Sequence, residues 1–130
     1  MQDGKHVVLC IDDDSDIRDS MRVILEASGY AFFEASTAEE GVEVFRRTRP
    51  DIVIVDLMME EVDAGTNFVK EIKLLGANVP IVMLSSVGDS LSSMVDTDKL
   101  GLAGVLQKPV SANALRKLLA ERLGKRADAH

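Results

Sequence analysis

Asp51-Ile52-Val53-Ile54-Val55-Asp56 sets four aliphatic residues in a row between two aspartates, with no polar residue among them to face water. A strand of this composition is covered on both faces, the environment of a parallel sheet with helices above and below it. The pattern repeats on either side. Short, largely apolar runs at residues 6–11, 31–34, 81–84 and 104–106 alternate with segments of helical period, as successive βαβ units require. The runs at 31–34 and 104–106 are the expected edge strands.

Between the runs, Ile17, Met21, Ile24, Leu25 and Ser28 make one helical stripe, Ala38, Val42 and Phe45 a second, and Phe68, Ile72 and Leu75 a third. The last and clearest comprises Leu115, Leu118, Leu119 and Leu123. A fourth segment, residues 89–100, offers only Leu91, Met94 and Val95 among serines, aspartates and a threonine, and is expected to dock loosely. Ser36 with Glu39 reads as a capping box for the second helix, and Gly29, Gly76 and Gly124 stand where helices should end. With 130 residues there is chain enough for one core. A single α/β domain is therefore expected over 1–130, its core at about 5–124 and a polar tail at 125–130.

Composition removes several function classes. The formal charge of -7 opposes phosphate backbones, and the one basic cluster, Arg46, Arg47 and Arg49, falls at a helix end, where cations suit the dipole. Direct nucleic-acid binding is not expected. The apolar runs are too short to span a bilayer, and no basic segment followed by an apolar one opens the chain, so the expectation is a soluble, cytoplasmic protein without membrane association. Cys10, the only cysteine, allows neither a disulfide framework nor a thiolate metal cluster within one chain, and reads as a core residue. His6 and His130 suggest no site.

In an open parallel sheet ligands bind beyond the carboxyl ends of the strands. The residues there are Asp12, Asp13 and Asp14 after the first run, Asp56 after the third, Ser85 and Ser86 after the fourth, and Lys108 before Pro109 after the fifth. Converging carboxylates repel unless a cation intervenes, and an oxygen-only donor set with vacant positions suits magnesium. An aspartate beside that ion can attack phosphorus and form an acyl phosphate, because the metal and a lysine neutralise charge on the phosphoryl oxygens. Asp56 is best placed for this, with Ser85 as hydroxyl donor and Lys108 as cationic partner. Each element has a plainer meaning alone: Asp14 or Ser15 as a helix cap, Asp56 and the serines as turn residues, Lys108-Pro109 as an extended approach to a helix. Their coincidence at one sheet edge is what the plainer meanings leave unexplained.

The stretches Val7-Val8-Leu9-Cys10-Ile11-Asp12-Asp13-Asp14, Pro50-Asp51-Ile52-Val53-Ile54-Val55-Asp56-Leu57-Met58-Met59, Pro80-Ile81-Val82-Met83-Leu84-Ser85-Ser86 and Gln107-Lys108-Pro109 resemble the response-regulator receiver domains of bacterial two-component signalling. The resemblance covers about residues 5–124. It implies a flavodoxin-like doubly wound (βα)5 fold with strand order 2-1-3-4-5, the order of the chemotaxis receivers. It implies that Asp56 is the phosphoacceptor, and that Mg2+ is held by Asp13, Asp56 and the backbone carbonyl of Met58, with Asp12 acting mainly through water. Ser85, beside Ser86, takes the family's hydroxyl position and Lys108 its lysine position. The implied partners are a sensor histidine kinase or histidine phosphotransfer protein and a downstream protein or output domain. A phosphorylation-dependent dimer is compatible with it. Such a chain is a signalling phosphoacceptor, catalysing only its own phosphoryl transfer and a slow self-dephosphorylation.

Two departures stand out. Met59 is followed by Glu60-Glu61-Val62-Asp63-Ala64-Gly65 where the family has a proline and a shorter loop, and the aromatic three residues before the lysine is replaced by Val105. A switch without that aromatic would act through aliphatic packing or through ordering of residues 89–100. Met58 and Val87, both apolar, offer nothing to orient a hydrolytic water, which implies a long-lived phosphoryl group. A phosphatase of the haloacid dehalogenase type needs a second aspartate at position 58, which is Met58, and a dinucleotide site would be repelled by Asp12-Asp13-Asp14. The alternative that remains is a degenerate receiver serving as a phosphorylation-independent protein-binding module.

Overall fold

The structure, a computed structural model, describes residues 4–56, 79–86, 104–108 and 110–123, with backbone alone at 85, 86 and 108. Strands β1 (Val7–Ile11), β2 (Ala31–Ala35), β3 (Ile52–Asp56), β4 (Ile81–Ser86) and β5 (Gly104–Lys108) form one sheet in the order β2-β1-β3-β4-β5, with every neighbouring pair parallel. Three helices are described, α1 (Ser15–Ala27), α2 (Ala38–Thr48) and α3 (Ala112–Leu123). This is the flavodoxin-like arrangement expected, with the runs at 31–34 and 104–106 at the edges. The stripe Phe68, Ile72 and Leu75, the segment 89–100, Gly76, Gly124 and the tail 125–130 lie outside the described residues.

The apolar strands are buried on both sides because alternate residues face opposite layers. Leu9, Ile11, Val53, Val55, Ile81 and Met83 join Val42, Val44 and Phe45 of α2 in one core. Val8, Cys10, Ile52, Ile54, Val82, Leu84 and Leu106 join Met21 and Leu25 of α1 and Leu115 and Leu119 of α3 in the other. Cys10 is fully buried there, in the core role expected of it. At ~25 cal/mol per Å² of apolar area, these two layers supply the main drive to fold.

Local chemistry sets the helix ends. Asp14 caps α1, its carboxylate accepting from the Asp16 amide at 2.9 Å. At the other end the Gly29 amide donates to the Glu26 carbonyl and the Tyr30 amide to that of Leu25. This paired closure needs a left-handed residue, which Gly29 provides at φ 89°. The cap of α2 differs from the sequence expectation by one residue. Thr37, not Ser36, is the N-cap, and Glu40, not Glu39, is its partner. Two overlapping frames fit the same spacing, and the adopted one satisfies three donors: the Glu40 amide on Thr37 Oγ1 at 3.0 Å, and the Ser36 amide and hydroxyl on Glu40 Oε1 at 2.7 and 3.0 Å. The Ser36 amide, and then its hydroxyl, hold the Glu40 carboxyl below its ordinary range.

Arg49 closes α2 in the left-handed region, at φ 50°, with its amide on the Phe45 carbonyl at 2.9 Å. A residue with a Cβ is strained there by ~1–2 kcal/mol, and glycine loses ~0.5–1 kcal/mol of that relief through its freer unfolded chain. Arg49→Gly is therefore expected to stabilise the protein by about 0.5–1 kcal/mol, read as a higher urea midpoint. A lower midpoint would contradict this account of the cap.

Candidate functional site

Parallel strands of equal register deliver their last residues to one edge. Ile11 of β1 lies opposite Val55 of β3, so the next residues, Asp12 and Asp56, emerge side by side. Asp12 is fully buried and Asp56 only 3% exposed, whereas Asp13 is exposed. Asp12, Asp13 and Asp56 each offer a carboxylate oxygen, and these oxygens all lie within 4.8 Å of one another. Leu84 is opposite Asp56, and Ser85 and Ser86 of β4 lie opposite Gln107 and Lys108 of β5, so the backbone carries positions 85, 86 and 108 to the same edge. Met58 lies outside the described residues. Val105 sits on β5 opposite Met83 and is 41% exposed.

The Asp12–Asp13 segment is anchored from several directions. The Asp12 amide donates to the Ala35 carbonyl of β2 at 3.1 Å, and its Oδ1 accepts from the Asp14 amide at 2.9 Å. Its backbone carbonyl accepts from Arg18 Nη1 at 2.6 Å. Arg18 Nε in turn donates to Glu34 Oε1 at 2.8 Å, and the other Glu34 oxygen pairs with Arg22. The Arg22 guanidinium lies 5.5 Å from the Phe32 ring centroid and donates to Asp19 at 3.0 Å. Reading from sequence alone passes over Arg18 and Glu34. The available signal is Glu34 itself, a charged residue inside the otherwise apolar Ala31-Phe32-Phe33-Glu34-Ala35, which demands a cation from the covering helix.

Three carboxylates so close raise one another's energy unless positive charge enters. The donor set fits a small hard cation: all oxygen, with a span that an ion of ~2.1 Å bonds, whose opposite ligands stand ~4.2 Å apart, bridges with small rotamer changes. Among the described residues the cluster includes no thiolate or imidazole, which would favour zinc or copper.

The model of the response regulator receiver domain matches residues 8–120. Response regulator MprA of Mycobacterium leprae is 34% identical over 113 residues, 87% of this chain and 47% of that protein. A probable transcriptional regulator, ycf27, of Guillardia theta is 35% identical over 111 residues, covering 85% of this chain and 42% of that one. The chain thus spans less than half the length of these two relatives. Among solved structures, a response regulator receiver domain protein of Clostridium thermocellum superposes with a TM-score of 0.81 at 28% identity, over 96% of this chain and 99% of that one. The chemotaxis response regulator CheY4 of Vibrio cholerae gives 0.80 at 28%, over 90% and 98%. A family match over residues 8–120, relatives of 34–35% identity and the same parallel sheet lead to one conclusion: the chain belongs to the response regulator receiver domain family.

Proposed function

We propose that the chain accepts a phosphoryl group on Asp56, with Mg2+ held by Asp13, Asp56 and the Met58 carbonyl and by Asp12 mainly through water, and so switches a protein-interaction face. The observation that carries this is the gathering of the Asp12, Asp13 and Asp56 oxygens within 4.8 Å at the carboxyl edge of the sheet. Bound there, the ion supplies neutralisation of the negative charge that builds on the phosphoryl oxygens. A carboxylate oxygen of Asp56 attacks phosphorus, the P–N bond to a phosphohistidine of a sensor kinase or phosphotransfer protein breaks with its electron pair leaving on the imidazole nitrogen, and that nitrogen is protonated from water. The near-complete burial of Asp56 excludes bulk water from one side of the acyl phosphate. Ser85, with Ser86 beside it, and Lys108, delivered to the same edge, would bind the phosphoryl oxygens by charge-assisted hydrogen bonds.

A single domain filling 1–130 and acting in the cytoplasm fits this reading. So does passage of the signal to a downstream protein, an output domain or a second phosphorylated copy of the chain. Without an aromatic at position 105, the face that changes would do so through aliphatic packing around Val105 or through residues 89–100. The rate of loss of the phosphoryl group is expected to be slow, given apolar Met58 and Val87.

Intact mass after incubation with acetyl phosphate and Mg2+ tests the proposal. One phosphoryl adduct that disappears with a chelator is expected; no adduct under any condition would favour a phosphorylation-independent binding module.

A further inference from the structure

We infer that Arg18 is a positioning residue for the cation site, acting through the Asp12 backbone carbonyl that it holds at 2.6 Å. The inference rests on the proposed Mg2+ site. That carbonyl belongs to the peptide joining Asp12 to Asp13, so its plane sets the direction in which Asp13 leaves the chain. Asp12 is fully buried and held by the Ala35 and Asp14 bonds, whereas Asp13 is exposed. Three carboxylates with oxygens within 4.8 Å repel, and the exposed one is the one able to swing away into water. Fixing the peptide that precedes it opposes that relaxation and keeps the ligand set assembled before the ion arrives.

Arg18 can do this because its own guanidinium is fixed. Its side chain is 17% exposed, with Nε on Glu34 Oε1 at 2.8 Å. Glu34 is held by Arg22, which lies over Phe32. The relay therefore runs from the edge strand β2 through α1 to the loop after β1. A lysine cannot copy it, since one ammonium group cannot reproduce the planar fork that reaches Glu34 and the Asp12 carbonyl together.

The sign of the effect separates positioning from charge. A guanidinium beside an acidic site repels a dication, so if Arg18 acted by charge alone its removal would tighten Mg2+ binding. Positioning predicts the opposite. Loss of an outer partner of a metal site costs ~10–100-fold in affinity, and Arg18→Ala is expected at the lower end, with about tenfold weaker Mg2+ binding by isothermal titration calorimetry. Arg18→Lys, which keeps the charge and is the variant less prone to unfold, is expected to weaken binding about threefold to tenfold. Thermal unfolding in chelator reports separately on fold stability.

Weaker Mg2+ binding in both variants supports the inference. Unchanged or tighter binding in either, with wild type binding normally, overturns it and leaves the phosphoacceptor reading intact, even if the melting temperature falls. Absence of saturable Mg2+ binding by the wild-type chain overturns both.

Discussion

Asp56→Asn is expected to take up no phosphoryl group from acetyl phosphate and Mg2+, in conditions where the wild-type chain gains one. Asparagine has nearly the same shape, so the end of β3 and its pairing with Leu84 of β4 should persist. What is lost is the anionic oxygen. An amide is a poor nucleophile toward phosphorus, and the amide also removes one of the three charges that draw the cation into the site. Removing a serine nucleophile from a hydrolytic triad costs about 10⁶ in turnover. A loss even a thousandfold smaller would leave no adduct on the minutes scale. Mass spectrometry of the intact chain and of its peptides gives the result. An adduct of undiminished yield in Asp56→Asn, mapped to Asp12 or Asp13, would move the acceptor role to the loop after β1 and end the case for Asp56.

The sheet was legible because its strands carry their environment in their composition. Ile52-Val53-Ile54-Val55 has no polar face, so only a two-sided cover suits it, and both faces are indeed closed by α1, α2 and α3. The acidic edge was legible for a related reason: in parallel strands, chain order fixes which ends meet, and Asp12 and Asp56 each directly follow an apolar run. Less was readable where several residues satisfy one rule. Ser36/Glu39 and Thr37/Glu40 share a spacing, and the choice depended on which arrangement gave the Ser36 amide a partner. Strand ends ran one or two residues beyond the apolar runs, to Ala35, Asp56, Ser86 and Lys108, because ladder bonds belong to the backbone and do not require an apolar side chain. The Arg18–Glu34 pair was hidden for a different reason. Its residues stand 16 positions apart, and nothing in the spacing announces that α1 crosses β2 at that point.

Ile54→Ala is expected to destabilise the fold by about 3–4 kcal/mol, within the ~2–5 kcal/mol range for buried isoleucine truncations. Against a total of about 5–15 kcal/mol for a domain, that is a large share. The site chosen decides the size. Ile54 is fully buried in the central strand, opposite Cys10 of β1 on one side and Val82 of β4 on the other. It shares its core with Met21, Leu25, Leu115 and Leu119. Collapse into the vacated volume is opposed in the plane of the sheet, because both neighbouring strands are held at ladder spacing by backbone hydrogen bonds. Among the described helices only α1 or α3 could move in, and each is tied to other parts of the same core. With an m-value of ~2 kcal/mol/M the urea midpoint should fall by about 1.5–2 M without a change in m. Val23→Ala, at a position 68% exposed on α1, should stay within ~0.5 kcal/mol of wild type. A loss below about 1 kcal/mol for Ile54→Ala would mean that the helices follow the truncated side chain inward, and that the sheet carrying Asp56 two residues further on is not rigid.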